Sequence, residues 1–318
     1  MKWKKLGKIF DPKDHSWHDN FLGFAQSPQA IVFDDFVRVY FSIRKSDSSQ
    51  MFISHIQYVD FDYDMRTIRK VSNHPVFGPG KLGCFDEHGV FPMNVLKVGD
   101  NIFGYTNGWS RRVSVSVETG IGLAISQDQG ETFHRIGDGP ILSASLKEPV
   151  LVGDPFVQII NGVFHMWYLF GLGWKKYSSS PPDRIYKIAH AMSLDGVNWV
   201  KDEGIKIIPD KLNEDECQAL PTVIFHKNIY HMYFCYRSAV DFRTNSENAY
   251  RIGYAYSSDL KTWVRADELG GMSGSKNEWD SDMQCYPHIF RIKNKIYLLY
   301  NGNEFGKHGF GVAELIDE

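Results

Sequence analysis

Acidic residues recur at one place in a pattern that is set by five prolines. The prolines are Pro28, Pro92, Pro155, Pro221 and Pro287. By subtraction, successive prolines are 64, 63, 66 and 66 residues apart. Glu87, Glu216 and Asp282 each stand five positions before a proline, and Asp154 stands directly before one. Carboxyl groups that meet at one site can divide the work of acid and of base or nucleophile. The spacing therefore predicts acid–base chemistry where the segments converge.

The segments that carry these acids share one order of strands. Each proline opens an apolar strand, which is followed by a short turn, an aromatic-rich strand and a third strand of small and apolar residues. Asn161-Gly162 joins the first two strands of the middle segment, and Asn-Gly between apolar runs is a strong hairpin signal. In three segments a turn with Ser, Asp and then an aromatic residue follows, at 126–133, 193–199 and 257–263. The first of these matches the Asp-box of propeller blades.

Four strands in about 65 residues, repeated five times, predict an all-β fold: a five-bladed β-propeller with four strands per blade. The last segment is too short to supply its own outer strand. The N-terminal K-W-K-K-L-G-K-I-F-D-P matches the outer-strand segment at 198–209. We therefore expect residues 1–10 to complete the fifth blade and close the ring, with residues 1–318 forming a single domain.

Composition and charge exclude several classes of partner. A net charge of −3 gives no reason to expect nucleic acid or an anionic membrane. The first residues lack the apolar core of a signal peptide and no long apolar run follows, so we expect no membrane span and a cytoplasmic location. The four cysteines are expected to be free thiols. No metal or cofactor motif is present; the many acids are compatible with an axial calcium ion, but no ligand spacing indicates one.

Strand parity predicts which loops share a face with these acids. If each first strand begins at one end of the axis, here called the upper face, the loops between second and third strands lie on that same face. Aromatic, basic and amide side chains at these positions suit the flat faces and hydroxyl groups of sugars. The candidate substrate-binding residues are Arg44, His88, Trp109, Trp174, Arg237, Gln284, Asn301 and His308.

The chain resembles the five-bladed propeller glycosidases, namely glycoside hydrolase families 32, 43, 68 and 130. Gly153-Asp154-Pro155 is similar to the Asp-Pro element of these families, whose Asp stabilises the transition state or acts as base. Glu216-Cys217 is similar to the Glu-Cys element of family 32, whose Glu is the general acid. Arg44 and Arg237, which end Y-F-S-I-R and Y-F-C-Y-R, resemble strand ends of family 130, where positive side chains help bind substrate or phosphate.

The chain also departs from these families. Families 32 and 43 have an Asp before the first proline, where this chain has Ser27, and the E-D-P-R motif of family 130 is absent. The resemblance then implies Glu216 as general acid, Asp154 as the carboxylate that sets its pKa, and Glu87 or Asp282 as base or nucleophile. Asp86 is a further alternative for that last role.

The leading hypothesis is a carbohydrate-active enzyme that cleaves or transfers a glycosidic linkage with paired carboxylates. One alternative is a glycoside phosphorylase or glycosyltransferase on the same fold, with phosphate or a sugar nucleotide bound by Arg44, Arg237, His88 and His308. The other is a non-catalytic sugar-binding propeller, which the absence of an acid at Ser27 favours.

Overall fold

The computed structural model describes residues 1–15, 17, 20–177 and 181–316. Five antiparallel sheets of four strands each form a five-bladed β-propeller, which confirms the predicted fold. The described residues contain four short 3-10 helices, and none of their helices is long and apolar enough to cross a membrane.

Each blade runs from an inner strand at the axis to an outer strand at the rim. Blade one contains β2 (Phe21–Val32), β3 (Val37–Ser46), β4 (Phe52–Phe61) and β5 (Ile68–Val71). Blade two contains β6 (Val90–Val98), β7 (Asn101–Arg111), β8 (Val117–Ser126) and β9 (His134–Arg135). Blade three contains β10 (Val152–Ile160), β11 (Val163–Lys175), β12 (Asp183–Ser193) and β13 (Val200–Lys201). Blade four contains β14 (Cys217–His226), β15 (Ile229–Arg237), β16 (Arg251–Ser257) and β17 (Val264–Arg265). Blade five contains β18 (Cys285–Ile292), β19 (Lys295–Asn301), β20 (Phe310–Leu315) and β1 (Trp3–Phe10).

The N-terminal strand closes the ring, as predicted. β1 pairs antiparallel with β20, with Trp3 opposite Leu315. The Trp3 indole N–H donates to the Tyr233 hydroxyl at 3.0 Å, and the two rings meet edge to face at 5.6 Å. Trp3 thus joins blade five to blade four. Because the inner strands β2, β6, β10, β14 and β18 contact one another in sequence around the axis, we propose that the chain forms one domain.

The Asp-box turns brace neighbouring blades on the lower face, opposite the acids. In the turn of blade three, Ser193 Oγ donates to Asp195 at 2.9 Å, and Asp195 accepts the amide of Val197 at 2.8 Å. Trp199, which follows, lies edge to face with Tyr105 of blade two at 6.0 Å. These turns therefore stabilise the fold.

A backbone irregularity marks the start of each inner strand. The strand register slips around each of the five prolines, because proline has no N–H to give to the ladder. The residue before the proline has a positive φ in four blades: 51° at Ser27, 51° at Asp154, 47° at Leu220 and 58° at Tyr286. Non-glycine residues rarely adopt this conformation, and such strain clusters at functional sites.

Candidate active site

Most of the acids near the inner strands have a structural task. In four blades a buried carboxylate that precedes the inner strand forms an ion pair with a basic side chain on the outer strand of the same blade. The pairs are Asp86–Arg135 (2.7 Å), Glu148–Lys201 (2.7 Å), Glu216–Arg265 (2.5 Å) and Asp280–Lys5 (2.6 Å). We call them the blade staples. They connect the axis of a blade to its rim, so acids at this place do not by themselves indicate catalysis.

Glu216, the sequence-based candidate for the general acid, belongs to a staple. Its side chain is fully buried, and Arg265 donates to Oε1 at 2.5 Å. Gln218 donates to the same oxygen at 2.9 Å, and the backbone amides of Lys211 and Leu212 each donate to Oε2 at 2.9 Å. Four donors occupy both oxygens of the Glu216 carboxyl group, which is therefore engaged within the fold. These contacts favour a structural role, and we leave Glu216 out of the proposed catalytic set.

Asp154 has a different environment from the staple acids. It precedes Pro155 with a φ of 51°, and only 6% of its surface is exposed. In the described part of the chain no lysine or arginine forms an ion pair with it; Asn107 Nδ2 donates to Oδ1 at 3.1 Å. Burial raises the pKa of Asp154 to about 7, against the opposing effects of Arg184 and of the Asn107 hydrogen bond. Such a carboxyl group holds a proton near neutral pH and can release it.

Positive charge collects on the blade-four side of Asp154. Arg237 is 1% exposed, and its guanidinium lies 3.5 Å from the centre of the Phe242 ring. Arg237 and Arg243 share a single carboxylate, Asp183, at 3.4 Å and 3.2 Å. Burial raises the pKa of Asp183, but the charges of Arg237 and Arg184 outweigh burial and lower it overall. Asp183 is therefore held as an anion that orients the arginines.

Arg44 approaches the axis from blade one without any acidic partner among the described residues. Its guanidinium lies between the rings of Phe24 (4.1 Å) and Phe52 (4.5 Å), and Nε donates to Gln26 at 3.1 Å. The Gln26 amide in turn donates to the carbonyl of Phe305 at 2.6 Å. Burial lowers the pKa of Arg44. A half-buried cation without a counter-ion suits an anionic ligand.

Aromatic rings complete the wall at the upper end of the axis. The hydroxyls of Tyr186 and Tyr250 lie 2.5 Å apart, and Arg237 Nε donates to Tyr186 at 3.2 Å. The rings of Phe91 and Tyr286 meet at 5.3 Å, although they belong to blades two and five, which are not neighbours. Such a contact is made across the axis. We call Asp154, Asn107, Arg44, Arg184 and Tyr286, with the groups around them, the axial site.

The remaining candidate acids lie apart from these contacts. Glu87 is 3.5 Å from His88 Nε2, and its other oxygen accepts the amide of Gly83. Asp282 is exposed and accepts the Ser281 hydroxyl at 2.9 Å. No hydrogen bond or ion pair within the described residues joins either acid to Asp154, so their role as base or nucleophile stays a prediction.

The other candidate binding residues divide between structure and surface. Gln284 donates to the staple acid Asp280 at 3.0 Å, and Asn301 donates to the carbonyls of Ala25 (2.8 Å) and Gly309 (2.7 Å). Both are buried, and their contacts favour structural roles. Trp109 is also buried, and its indole N–H donates to Ser54 Oγ at 2.6 Å. The half-exposed members of the set are His88, which stacks on Trp109 at 5.6 Å, Trp174, which lies 5.8 Å from Arg184, and His308, which contacts Glu304 at 2.9 Å.

Ser27, which stands in blade one where related propellers have an acid, is buried in the fold. The Ser27 amide donates to Asn301 Oδ1 at 2.8 Å, while its buried hydroxyl has no hydrogen-bond partner among the described residues.

The sequence did not single out Asp183, Tyr186 or Tyr250, because nothing in their local sequence separates them from other residues of strands and loops. The strand parity argument included the loops that hold Asp183 and Tyr250 but could not rank their residues.

Two cavities lie away from the axial site. One, of about 410 Å³, opens between blades three and four, and its lining includes Ile160, His165, Tyr230 and Asp259. Asp259 is bound within its own Asp-box turn, where it accepts the amides of Lys261 and Thr262. The other, of about 270 Å³, lies on the axis and is lined by residues from the middle to the end of all five inner strands. Neither is lined by Asp154 or Arg44.

Solved structures share the fold of this chain over nearly its whole length. A complex of BT0996 with RGII matches with a TM-score of 0.73 and 16% identity, covering 99% of this chain and 93% of the matched protein. A thermostable family-43 glycoside hydrolase matches with a TM-score of 0.67 and 14% identity, covering 95% and 94%. The β-1,2-mannobiose phosphorylase of Listeria innocua, in complex with β-1,2-mannobiose, also has a TM-score of 0.67, with 13% identity and coverage of 99% and 96%. The resemblance to the propeller glycosidase fold is thereby confirmed.

No family model matches the sequence. Two curated proteins of Mycobacterium tuberculosis align with it throughout: uncharacterized protein MT1551 of strain CDC 1551 / Oshkosh and uncharacterized protein Rv1502 of strain ATCC 25618 / H37Rv. Each is 32% identical over 321 residues, and the alignment covers 99% of this chain and 99% of the relative. The chain therefore belongs to the same protein family as MT1551 and Rv1502.

Proposed function

We propose that the protein is a carbohydrate-active enzyme that cleaves or transfers a glycosidic linkage at the axial site, with Asp154 as the proton donor. The observation that carries this proposal is the state of Asp154. It is buried at the start of an inner strand, free of any ion pair with a described residue, and its pKa is raised to about 7 by burial. A glycosidic bond breaks when its leaving oxygen receives a proton from such a group.

The surroundings of Asp154 suit this step. Its proton moves from the carboxyl oxygen to the leaving oxygen of the sugar, and a carboxylate remains. Asn107 donates to that carboxylate at 3.1 Å, and the charge of Arg184 also favours the ionised form. Because both effects act on the charged group, they lower the free energy of the product of proton transfer. The ring faces of Tyr286 and Phe91 offer an apolar surface beside it.

A sugar substrate is further supported by what the names of the similar structures state. One is a complex with RGII and another a complex with β-1,2-mannobiose. These proteins share only the fold at 16% and 13% identity, so the choice of sugar is left to experiment.

The identity of the acceptor separates two versions of the reaction. Hydrolysis requires a second carboxylate, which acts as a base on water or as a nucleophile on the sugar, and only Glu87 or Asp282 among the candidates is left outside the staples and the Asp183 ion pairs. Phosphate carries its own negative charge and can attack without a base. The guanidinium of Arg44, which has no acidic partner among the described residues, favours this second version, a glycoside phosphorylase, because it offers an anion a charged hydrogen-bond donor.

The test is a panel of aryl glycosides, β-1,2-mannobiose and RGII, incubated with and without inorganic phosphate. We expect the wild-type protein to release product, and phosphate-dependent release of a sugar phosphate would identify the phosphorylase version. Asp154→Asn should abolish turnover of unactivated substrates. Asp138→Asn, at a surface residue paired with Lys81, is the matched control and should retain activity. Full activity of Asp154→Asn would refute the proposed donor.

A non-catalytic sugar-binding propeller gives a different result. Calorimetry would then detect binding of a glycan from the panel, while no product forms with or without phosphate during long incubation. That outcome would reject the enzymatic proposal and retain the axial site as a binding site.

A further inference from the structure

Tyr286 is held rigidly at the axis. It stands directly before Pro287 in blade five, at the position that Asp154 has in blade three, and its backbone φ is 58°. The Phe91 ring meets its ring at 5.3 Å and an angle of 76°, and the Tyr250 ring meets it at 5.8 Å. With two rings and a strained backbone fixing it, the direction of its hydroxyl is set before any ligand binds.

The hydroxyl of Tyr286 lacks a hydrogen-bond partner within the described residues, although only 8% of the residue is exposed. Other buried tyrosines in this chain have partners: Tyr300 donates to Asp280 at 3.1 Å, and Tyr233 donates to the carbonyl of Gly270 at 2.9 Å. The Tyr286 oxygen is not among the enclosed polar atoms that lack a partner in the described residues, so it keeps contact with solvent. The hydroxyl is therefore free to bond a ligand that displaces water at this place.

The packing of the ring does not explain the hydroxyl. Blade two has Phe91 at the equivalent position before its proline, so a phenylalanine can fill this place in the fold. Arg44 and Asp154 both lie within electrostatic range of Tyr286, so its ring belongs to the same site as the proposed proton donor. Burial raises the pKa of Tyr286 well above its ordinary value of 10, so the group remains a protonated donor.

We propose that Tyr286 is a substrate-contacting residue whose hydroxyl donates a hydrogen bond to an oxygen of the sugar bound against Asp154. The inference rests on the proposed function in that it needs a sugar at the axial site, but it does not need that sugar to be turned over. The ligand class is a glycan with a hydroxyl or ring oxygen directed at blade five. In the free protein the same place is open to water.

The test compares Tyr286→Phe, which removes only the hydroxyl, with Tyr297→Phe at the lower end of β19 in the same blade. Urea denaturation of both variants should match the wild type, since neither hydroxyl bonds to a described residue. On the best substrate of the panel, Tyr286→Phe should lower kcat/KM by about tenfold or more, as expected when a bound group loses a hydrogen bond. Tyr297→Phe should stay within about twofold of the wild type.

The outcomes separate this inference from the proposed function. Wild-type turnover with an unchanged kcat/KM in Tyr286→Phe would overturn the role of Tyr286 and leave the enzymatic proposal standing. If the wild type binds a glycan by calorimetry without turnover, weaker binding by Tyr286→Phe alone would support the contact while the enzymatic proposal fails. Absence of both turnover and glycan binding in the wild type would overturn both.

Discussion

Replacement of Asp154 by asparagine should stabilise the folded protein, and the gain should depend on pH. Burial raises the pKa of this carboxyl from its ordinary value of 3.8 to about 7. Between these two values the folded state binds the proton more tightly than the unfolded state does. The free energy of unfolding therefore falls as the pH rises through this window. Asparagine does not titrate and resembles the protonated acid in shape, so the variant avoids this loss.

The size of the effect follows from the two pKa values, 3.8 and about 7. At about 1.4 kcal/mol for each pKa unit, the wild type loses up to about 4 kcal/mol by pH 8. We expect a smaller gain in the variant, because the asparagine NH₂ cannot accept the hydrogen bond that the Leu220 backbone amide gives to the carboxylate. Below about pH 4 the stabilities of the two proteins should converge, since both states of the wild type are then protonated.

The assay is urea denaturation followed by tryptophan fluorescence at intervals from pH 2 to 8.5. Asp259→Asn is the matched control of opposite sign. Backbone amides of Thr262 and Lys261 lower the pKa of Asp259 to about 2, so this variant should be less stable than the wild type at pH 7. Its deficit should shrink as the pH falls toward 2. The reasoning about Asp154 is refuted if Asp154→Asn is no more stable than the wild type at pH 8, or if its gain is the same at pH 5 and pH 8.

Three further predictions concern the staples, the ring closure and the acceptor. Arg265→Met leaves Glu216 buried without its cation and should lower the free energy of unfolding, measured by urea denaturation, by about 3–5 kcal/mol. The double variant with Glu216→Gln should lose less; equal losses in the two variants would contradict the role of the staple. Trp3→Ala removes the contact with Tyr233 and should lower the free energy of unfolding by about 2–3 kcal/mol, and an unchanged midpoint would show that ring closure does not depend on this ring. Arg44→Gln should raise the KM for phosphate about tenfold or more in a phosphorolysis assay; an unchanged KM would remove Arg44 from the acceptor site.

The fold could be predicted because its information is local and repeated. A proline interrupts a strand ladder at the same point in every blade, and hairpin turns and Asp-boxes occupy fixed positions between the strands. The match between residues 1–10 and the outer-strand segment of 198–209 was enough to predict the closing strand. One further turn escaped notice: Asp64 accepts the amides of Arg66 and Thr67 in blade one, but the turn lacks the Ser that marks the other boxes.

The site could be predicted only in part, because similar acids have different partners. Asp154 was named from its place before Pro155. The same reasoning named Glu216, although acids beside the inner strands also have a structural motive. The motive is the staple, whose basic member lies on the outer strand, 49 residues away in the case of Arg265. Glu148 was missed because no motif surrounds it.

The sequence by itself determined the propeller, its five blades, the closing strand and the face on which the acids gather. Periodic spacing carries this information, since each blade repeats the same local rules of turn and strand. The tertiary structure decided what each acid does. Arg265 forms an ion pair with Glu216, and three further donors occupy the rest of its carboxyl group. Asp154 is buried without an ion pair to any described residue, and its pKa rises to about 7. A carboxyl group becomes a structural anion or a proton donor according to the charges and the water around it, and these depend on residues brought together only by the folded chain.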